Sequence, residues 1–248
     1  PYYSTNLYHN KTLDSLIGLF KQKINAKNID SSIEINWVGT VNYGIRKPNF
    51  VIIHHTAQNT CEQTLKTFTN VKTLVSAHYV ICKDGTIYNM LHDYLRAQHA
   101  GLSQWGQLTD INSASIGIEL DNDGYTPFDT LQINSLIKLL RYLKKKYSIP
   151  TPNFIGHGDI APSRKNDPNI FFPWKSLAKF GYGNWAEKND SVEVESNFSV
   201  NNALRLIGYN TTDTLAAFLA FKRHFRQDTS RIQTLEDKQV LKQLINLK

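Results

Sequence analysis

The chain has 248 residues, which is enough to bury the core of one large domain or two small ones. Its 41% hydrophobic and 20% charged residues are ordinary for a soluble globular protein, and its formal net charge of +7 indicates an anionic partner. The one dense basic run, Lys144–Lys146, ends a predicted helix, where cations are favoured by the helix dipole. Nucleic-acid-binding proteins usually carry basic clusters interleaved with aromatic residues, so no nucleic acid partner is expected. The diffuse positive charge fits an anionic polymer that carries carboxylates at least as well as it fits a nucleic acid.

Hydrophobic periodicity divides the first 186 residues into alternating helices and strands. The non-alternating apolar run Phe50–Ile53 is typical of a strand covered on both faces, and Lys83–Gly85 between two short runs is a hairpin signal. The predicted elements are a helix over 11–28, strands over 38–43 and 50–55, a helix over 62–74, strands over 78–81, 86–90 and 115–120, a helix over 131–147 and a short strand at 154–155. This interleaving predicts an α/β fold with one mixed central β-sheet flanked by helices.

The composition of the sequence changes after Trp185. Residues 187–199 are polar and acidic and are interpreted as a linker. Helices are expected beyond it, over 200–208, 212–225 and 231–247. The predicted organisation is therefore a domain over 1–186, the linker over 187–199 and a small three-helix module over 200–248.

No apolar run approaches the length of a membrane span, and the longest, Ala216–Phe221, is far too short. The chain begins at Pro1, with neither an initiator methionine nor a signal-peptide pattern. This indicates a mature or trimmed chain, and we expect its targeting segment to precede Pro1.

The two cysteines, Cys61 and Cys82, cannot form a framework of several bridges. One disulfide between them could form in an oxidising compartment, but two separate buried thiols are the favoured expectation. Neither cysteine lies in a Cys-x-x-Cys pair, so a zinc site built from thiolates has no support.

The segment Ile155–Pro168 is rich in glycine and proline and is predicted to be a loop. It brings His157, Asp159, Lys165 and Asp167 close together along the chain. Histidine and carboxylate side chains on one loop are typical of a metal site, and a lysine beside them could polarise a substrate oxygen. A zinc hydrolase is therefore the leading functional hypothesis.

His54 and His55, at the end of the strand predicted over 50–55, offer a further ligand. Adjacent residues of a strand point to opposite faces, so at most one of the two can face the metal. Because the residues on both sides are apolar, periodicity leaves the choice open. Glu119 ends another predicted strand, where an isolated glutamate is usually a surface charge on an edge strand.

Five motifs carry a resemblance that spans residues 35–180. They are Val51–Ala57, Ser76–Val80, His99–Gly101, Ser115–Leu120 and Gly156–Pro168. Their residues and order resemble those of the zinc-dependent N-acetylmuramoyl-L-alanine amidases of the amidase_2 family, which shares its fold with the peptidoglycan recognition proteins. The branch with the AmpD and AmiD amidases is the most similar, and five motifs in the correct order argue against a chance match.

The resemblance implies a zinc site made of His54, His157 and Asp167. Two imidazoles and one carboxylate leave the fourth tetrahedral position for water, and zinc lowers the pKa of such a water to about 7. Glu119 is expected to take the proton of this water and to pass it to the leaving amine, while Lys165 stabilises the developing oxyanion. The bond cut would be the amide between the lactyl group of N-acetylmuramic acid, or anhydro-muramic acid, and L-alanine of the stem peptide.

The remaining polar residues keep more than one interpretation. For His55 a hydrogen-bonded place in the core is expected rather than ligation, and His78 is expected to be structural. His99 lies on a loop that borders the cleft in the family, so a substrate contact and a structural role are equally expected. Arg164 fits a surface ion pair as well as a contact with a substrate carboxylate, and Asp159 is assigned to capping the loop.

Residues 201–209 and 215–225 resemble a small three-helix peptidoglycan-binding module. Such a tail predicts peptidoglycan or a muropeptide as partner and a periplasmic enzyme rather than a cytoplasmic recycling enzyme. Association with the outer membrane through a lipid anchor on a segment before residue 1 is a further expectation. The sequence leaves open whether the intact sacculus or a released anhydro-muropeptide is the substrate.

Two other functions fit part of the pattern. A non-catalytic peptidoglycan recognition protein has the same fold, but such proteins typically lack part of the metal triad, which is intact here. A generic zinc peptidase would be expected to carry His-Glu-x-x-His, which this chain lacks. The amidase is favoured over both.

Overall fold

The computed structural model describes residues 3–20, 42 and 47–247. The chain forms two compact units, Pro1–Ile45 and Arg46–Lys248. None of the helices in the described ranges combines the length and the apolar character that crossing a membrane requires.

In the first unit the described element is helix α1, Tyr3–Phe20. It begins earlier than the helix predicted over 11–28. Residues 21–28 of that prediction, and the strand predicted over 38–43 apart from Asn42, lie outside the described residues.

Five strands of the second unit form one mixed sheet, as predicted. They are β1 (Phe50–His55), β2 (Tyr79–Ile81), β3 (Ile87–Asn89), β4 (Ser115–Leu120) and β5 (Phe154–Gly156). Their order is β3-β2-β4-β1-β5, with β3 antiparallel to β2 and all other neighbours parallel. All six residues of β4 and five of the six in β1 are buried, as expected of central strands covered on both faces. The hairpin predicted around Lys83–Gly85 joins β2 to β3.

The helices of the second unit lie between the strands along the chain and after the last strand. They are α2 (Cys61–Thr69), α3 (Ile111–Ala114), α4 (Thr130–Tyr147), α5 (His157–Ile160), α6 (Trp174–Ala178), α7 (Val200–Ile207), α8 (Thr214–Phe221) and α9 (Leu235–Asn246). A π-helical turn, Lys222–Arg226, continues α8. Thr60 caps α2 by accepting a hydrogen bond from the backbone of Gln63, as predicted, but α2 ends at Thr69 and not at residue 74, because the chain continues there as a 3-10 turn.

Three apolar clusters stabilise the second unit within the described residues, the third being the small group that includes Ile52, Ile111 and Ile155. In the first, the buried face of α4, with Leu136 and Leu140, packs on Ile53 of β1 and on β4. The second cluster joins α7, α8 and α9 through residues such as Leu204 and Phe221. The predicted three C-terminal helices are confirmed, and the domain boundaries at residues 186 and 199 stay predictions.

Cys61 and Cys82 form a disulfide. The favoured expectation of two separate thiols was wrong, because the first turn of α2 packs beside the end of β2 and places the two Cα atoms 5.4 Å apart. That separation lies within the range that a disulfide spans. The bridge ties a helix terminus to the sheet.

Candidate metal centre

Parallel strands deliver the predicted ligands to one edge of the sheet. In the register of β1 and β4, His54 lies beside Glu119. Strand β5 pairs with β1 on its other side and ends at Gly156, directly before His157. The carboxyl ends of parallel strands are the usual place for a site in an α/β sheet. The chain after α5 then brings Asp167 back to the same place.

His54, His157 and Asp167 form a tight, buried group. The Nδ1 atoms of the two histidines are 3.0 Å apart. The Oδ2 atom of Asp167 lies 3.0 Å from Nδ1 of His54 and 3.1 Å from Nδ1 of His157. All three side chains can therefore offer one ligand atom to a single metal ion.

The far side of the His54 ring is held by a chain of hydrogen bonds. Its Nε2 lies 3.1 Å from Nδ1 of His99, and Nε2 of His99 lies 3.2 Å from the hydroxyl of Ser115. That hydroxyl donates to the carbonyl oxygen of Ile111 at 2.7 Å, so it accepts from His99. The chain therefore runs from His54 Nε2–H to His99 Nδ1, which leaves an unprotonated Nδ1 on His54 to face the metal.

His157 has the same arrangement with a simpler partner. Its Nε2 donates to the carbonyl oxygen of Ala100 at 3.1 Å, so its Nδ1 is also free for a metal. Burial, and next the neighbouring His157, lower the pKa of His54 to about 4. Burial would raise the pKa of Asp167, but the rings of His157 and His54 hold it well below its usual range. The lowered pKa values of His54 and Asp167 favour a neutral imidazole and an ionised carboxylate, the protonation states that metal ligands need.

Glu119 stands beside this group. Its Oε1 is 4.0 Å from Nδ1 of His54, and its Oε2 is buried with no hydrogen-bond partner in the described part of the chain. Burial, and next the charge of Asp167, raise the pKa of Glu119 to about 8, whereas Lys165 acts in the opposite direction. Because β4 is a central strand and Glu119 is buried, an exposed edge-strand charge is ruled out. A buried carboxylate with a free oxygen can accept a proton beside the metal.

Lys165 and Arg164 lie on the turn after α5, and both side chains are exposed. The ammonium of Lys165 is near enough to lower the pKa of Glu119. The guanidinium of Arg164 donates to the backbone oxygen of Ala100 at 3.2 Å and to that of Leu102 at 2.5 Å. Arg164 thus holds the loop whose Ala100 also contacts a metal ligand, and its contact with substrate stays a prediction.

His55, His78 and His99 lie around the centre and are not part of the group of three ligands. His78 accepts from the backbone N–H of Gly117 at 3.1 Å and donates to the carbonyl oxygen of Leu95 at 3.0 Å, in agreement with a structural role. His55 is buried outside the metal group, but its Nδ1 has no hydrogen-bond partner in the described ranges. Both ring nitrogens of His99 contact protein groups, and its contact with substrate stays a prediction.

Sequence reasoning missed the residues that support the ligands. Ser115 and Gly117 lie in the motif that led to Glu119, but their relation to His99 needs the sheet and the loop in place. A Cβ added at Gly117 would lie 2.5 Å from the His99 ring, so a residue with no side chain is required there.

Replacing Gly117 with alanine is expected to push the His99 ring away from His54 and to weaken metal binding about ten-fold or more, as loss of a partner of a metal ligand usually does. The measurement is Zn²⁺ affinity by competition with a coloured chelator. Gly18→Ala in α1 is the matched control, because a Cβ there meets nothing within 4 Å. Equal affinity in the Gly117 variant and wild type would refute the role of His99.

Comparison with known proteins agrees with this geometry. The family model described as N-acetylmuramoyl-L-alanine amidase (Amidase_2) matches residues 44–170, just over half of the chain. N-acetylmuramoyl-L-alanine amidase AmiD of Escherichia coli (strain K12) is 37% identical over 55% of this chain and 54% of its own length. The chain spans about half the length of the curated relatives it matches.

Solved structures extend the likeness. The complex of AmiD from E. coli with the substrate anhydro-N-acetylmuramic acid-L-Ala-D-gamma-Glu-L-Lys has a TM-score of 0.73 and 27% identity, over 84% of this chain and 93% of that one. AmpDh3 from Pseudomonas aeruginosa has a TM-score of 0.72 and 26% identity, over 87% of this chain and 98% of its own. Both matches cover more of the chain than residues 44–170. The chain belongs to the N-acetylmuramoyl-L-alanine amidase family.

Proposed function

We propose that the protein is a zinc-dependent N-acetylmuramoyl-L-alanine amidase. It would hydrolyse the amide that joins the lactyl group of N-acetylmuramic acid, or of its anhydro form, to L-alanine of the stem peptide. The observation that carries the proposal is the buried group of His54, His157 and Asp167 with the carboxylate of Glu119 beside it. The structure of AmiD with an anhydro-muramyl peptide supports the substrate class.

The donor set fits zinc. Two imidazole nitrogens and one carboxylate oxygen are ligands that zinc prefers in catalytic sites. Ligands on a tetrahedral zinc at about 2.0–2.1 Å lie about 3.3 Å from one another. The three ligand atoms here, 3.0 to 3.1 Å apart, are close to that spacing.

Glu119 and Lys165 would each carry out a different part of the reaction. Bound zinc supplies Lewis-acid polarisation of the scissile carbonyl and of the attacking water. Glu119 takes the proton of that water and returns it to the nitrogen of the leaving L-alanine. Burial, and next the charge of Asp167, raise its pKa to about 8 although Lys165 acts in the opposite direction. A bound zinc cation would favour the ionised carboxylate and so bring proton exchange closer to neutral pH. Lys165 places a cation near the oxygen on which negative charge develops.

We propose wall binding for helices α7–α9. A groove of about 760 Å³ lies between the loop with Gln104 and Gln107 and the residues of α7 that include Asn202 and Arg205. Amide and hydroxyl side chains dominate its lining, and Arg205 is the one charged lining residue. Amides and hydroxyls can pair with sugar hydroxyl and acetamido groups, and an arginine can bind a stem-peptide carboxylate.

We also propose that the enzyme works in the periplasm. The disulfide between Cys61 and Cys82 supports this location, because disulfides persist in oxidising compartments. Association with the outer membrane through a lipid anchor stays a prediction.

One experiment tests the activity and the groove together. Purified protein is incubated with whole sacculi and, in parallel, with a defined anhydro-muropeptide, and the products are identified by mass. Release of free stem peptide, lost in chelator and restored by Zn²⁺, is expected. Arg205→Ala should digest sacculi more slowly and the small muropeptide at the wild-type rate, since the proposal gives Arg205 of the groove a role only in holding the polymer.

Each outcome has a separate meaning. If zinc-loaded protein binds sacculi without cutting the amide, a non-catalytic recognition protein is the better description. If Arg205→Ala digests both substrates like wild type, the groove does not bind the wall, and the amidase activity stands.

A further inference from the structure

Asp159 is a buried carboxylate that connects three parts of the chain. It lies in α5, two residues after His157. Its Oδ2 accepts from the backbone N–H of Gly156 at 2.7 Å and so caps α5, where the sequence predicted a capped loop and no helix. Its Oδ1 accepts from the hydroxyl of Tyr209 at 2.7 Å, and its Oδ2 also accepts from Nδ1 of His224 at 2.7 Å. The last two partners belong to the C-terminal helical segment.

The partners of Asp159 are themselves fixed in place. The ring of His224 stacks on Trp174 with centroids 3.9 Å apart and on Phe225 at 4.0 Å. The ring of Tyr209 packs edge-on against Trp105 at 5.0 Å. Both side chains are almost completely buried, so close packing restrains their positions.

The orientation of helix α5 determines the positions of two proposed metal ligands, His157 and Asp167. His157 is its first residue, so the direction of that ring follows the orientation of α5. The backbone N–H of Gly158 donates to the carbonyl oxygen of Asp167 at 2.6 Å, so α5 also holds the second ligand. A cavity of about 10 Å³ is bordered by Asp159 and Asp167 on one side and by Arg223 of the C-terminal segment on the other.

We propose that Asp159 is a positioning residue through which the C-terminal helical segment holds His157 and Asp167 in place for the metal. The segment would then support the metal centre directly, in addition to any contact with the wall. The inference rests on the proposed zinc function, because it concerns the affinity of that site. It predicts that removing the hydrogen bonds of Tyr209 or His224 with Asp159 weakens zinc binding by His157 and Asp167.

The test compares two buried hydroxyl–carboxylate pairs in the full chain. Tyr209→Phe removes the hydroxyl that bonds Asp159 and keeps the ring. Tyr147→Phe is the matched control, because its hydroxyl bonds the buried carboxylate of Asp93 at 2.6 Å, away from the metal centre. Both variants are expected to melt at lower temperature. Only Tyr209→Phe is expected to raise the Zn²⁺ dissociation constant, by about ten-fold, as loss of outer-shell support does.

A second pair separates the hydrogen bond from the ring stacking. His224→Asn keeps a donor near the position of Nδ1 and loses the stacking on Trp174, whereas His224→Phe keeps the stacking and loses the donor. Zinc affinity should stay close to wild type in the asparagine variant and fall in the phenylalanine variant.

Three results would overturn the proposal. If Tyr209→Phe and Tyr147→Phe both bind Zn²⁺ like wild type, the C-terminal segment does not act through Asp159, and the amidase function stands. If His224→Asn loses affinity while His224→Phe binds Zn²⁺ like wild type, stacking holds the turn and the role of the carboxylate is wrong. If wild type itself binds no Zn²⁺, the metal function fails, and this role fails with it.

Discussion

Replacing Glu119 with glutamine is expected to lower kcat by about 100- to 10,000-fold, the usual contribution of a general acid–base group. The amide keeps the shape of the side chain but cannot take a proton from water. Zinc content should stay at the wild-type level, because Glu119 lies beside the metal group and is not part of it. The measurement is turnover of an anhydro-muropeptide together with metal analysis.

Glu62→Gln is the control for Glu119→Gln. Glu62 is an exposed glutamate that pairs with Lys66 on the surface of α2, and such pairs contribute little to stability. Its variant should turn over like wild type. If Glu119→Gln also keeps wild-type turnover while zinc is bound, proton transfer belongs to another group.

The same substitution has a consequence for the metal-free protein. Burial raises the pKa of Glu119 from 4.5 to about 8, so the folded state binds this proton more tightly than the unfolded state does. Wild type should therefore lose stability as the pH rises from about 5 to 8. Glutamine does not titrate, so the difference in melting temperature in favour of Glu119→Gln should grow over that range, measured in chelator.

Replacing Asp167 with asparagine is the second large change. A neutral amide is a poor ligand for zinc, so the affinity should fall by more than about 100-fold, beyond the usual effect of outer-shell changes. Wild type at a Zn²⁺ concentration of 1,000 times its dissociation constant should be stabilised by about 4 kcal/mol, and the variant, at the same concentration and at least 100-fold weaker affinity, by at most about 1.4 kcal/mol. Activity should be lost as well. Thermal melts with and without Zn²⁺ measure the difference.

Asp190→Asn serves as the control for Asp167→Asn, because Asp190 is an exposed residue paired with Lys188. Its melting temperature should rise on adding Zn²⁺ as much as that of wild type. A wild-type zinc shift in Asp167→Asn would mean that zinc binds elsewhere in the chain.

The elements that position the ligands could be predicted because their signals are local. Strand β1 occurs at Phe50–His55, as its continuous apolar run predicted, and the hairpin occurs around its glycine turn. The adjacent pair His54 and His55 could not be resolved by periodicity, since a strand buried on both faces has no polar side to distinguish. The family motif made that choice, and the geometry brings His54 into the metal group.

The parts that could not be predicted depend on contacts between distant segments. Asp159 finds Tyr209 and His224 at separations of 50 and 65 residues, and no local pattern indicates these partners. The disulfide depends on how α2 packs against β2, which sets the distance between Cys61 and Cys82. The loop predicted over 155–168 contains the end of β5 and the single helical turn α5, which is stabilised by that same Asp159.

The metal centre can form only when β1 and β4 pair in the observed register. His54 faces Glu119 only in the observed alignment, and the apolar neighbours of His54 fill the core in that same alignment. A slip of one residue would turn His55 towards the ligands and carry the core residues to the wrong face. A misaligned sheet could therefore neither pack nor bind zinc, and zinc uptake during refolding would report only chains that have aligned these strands correctly.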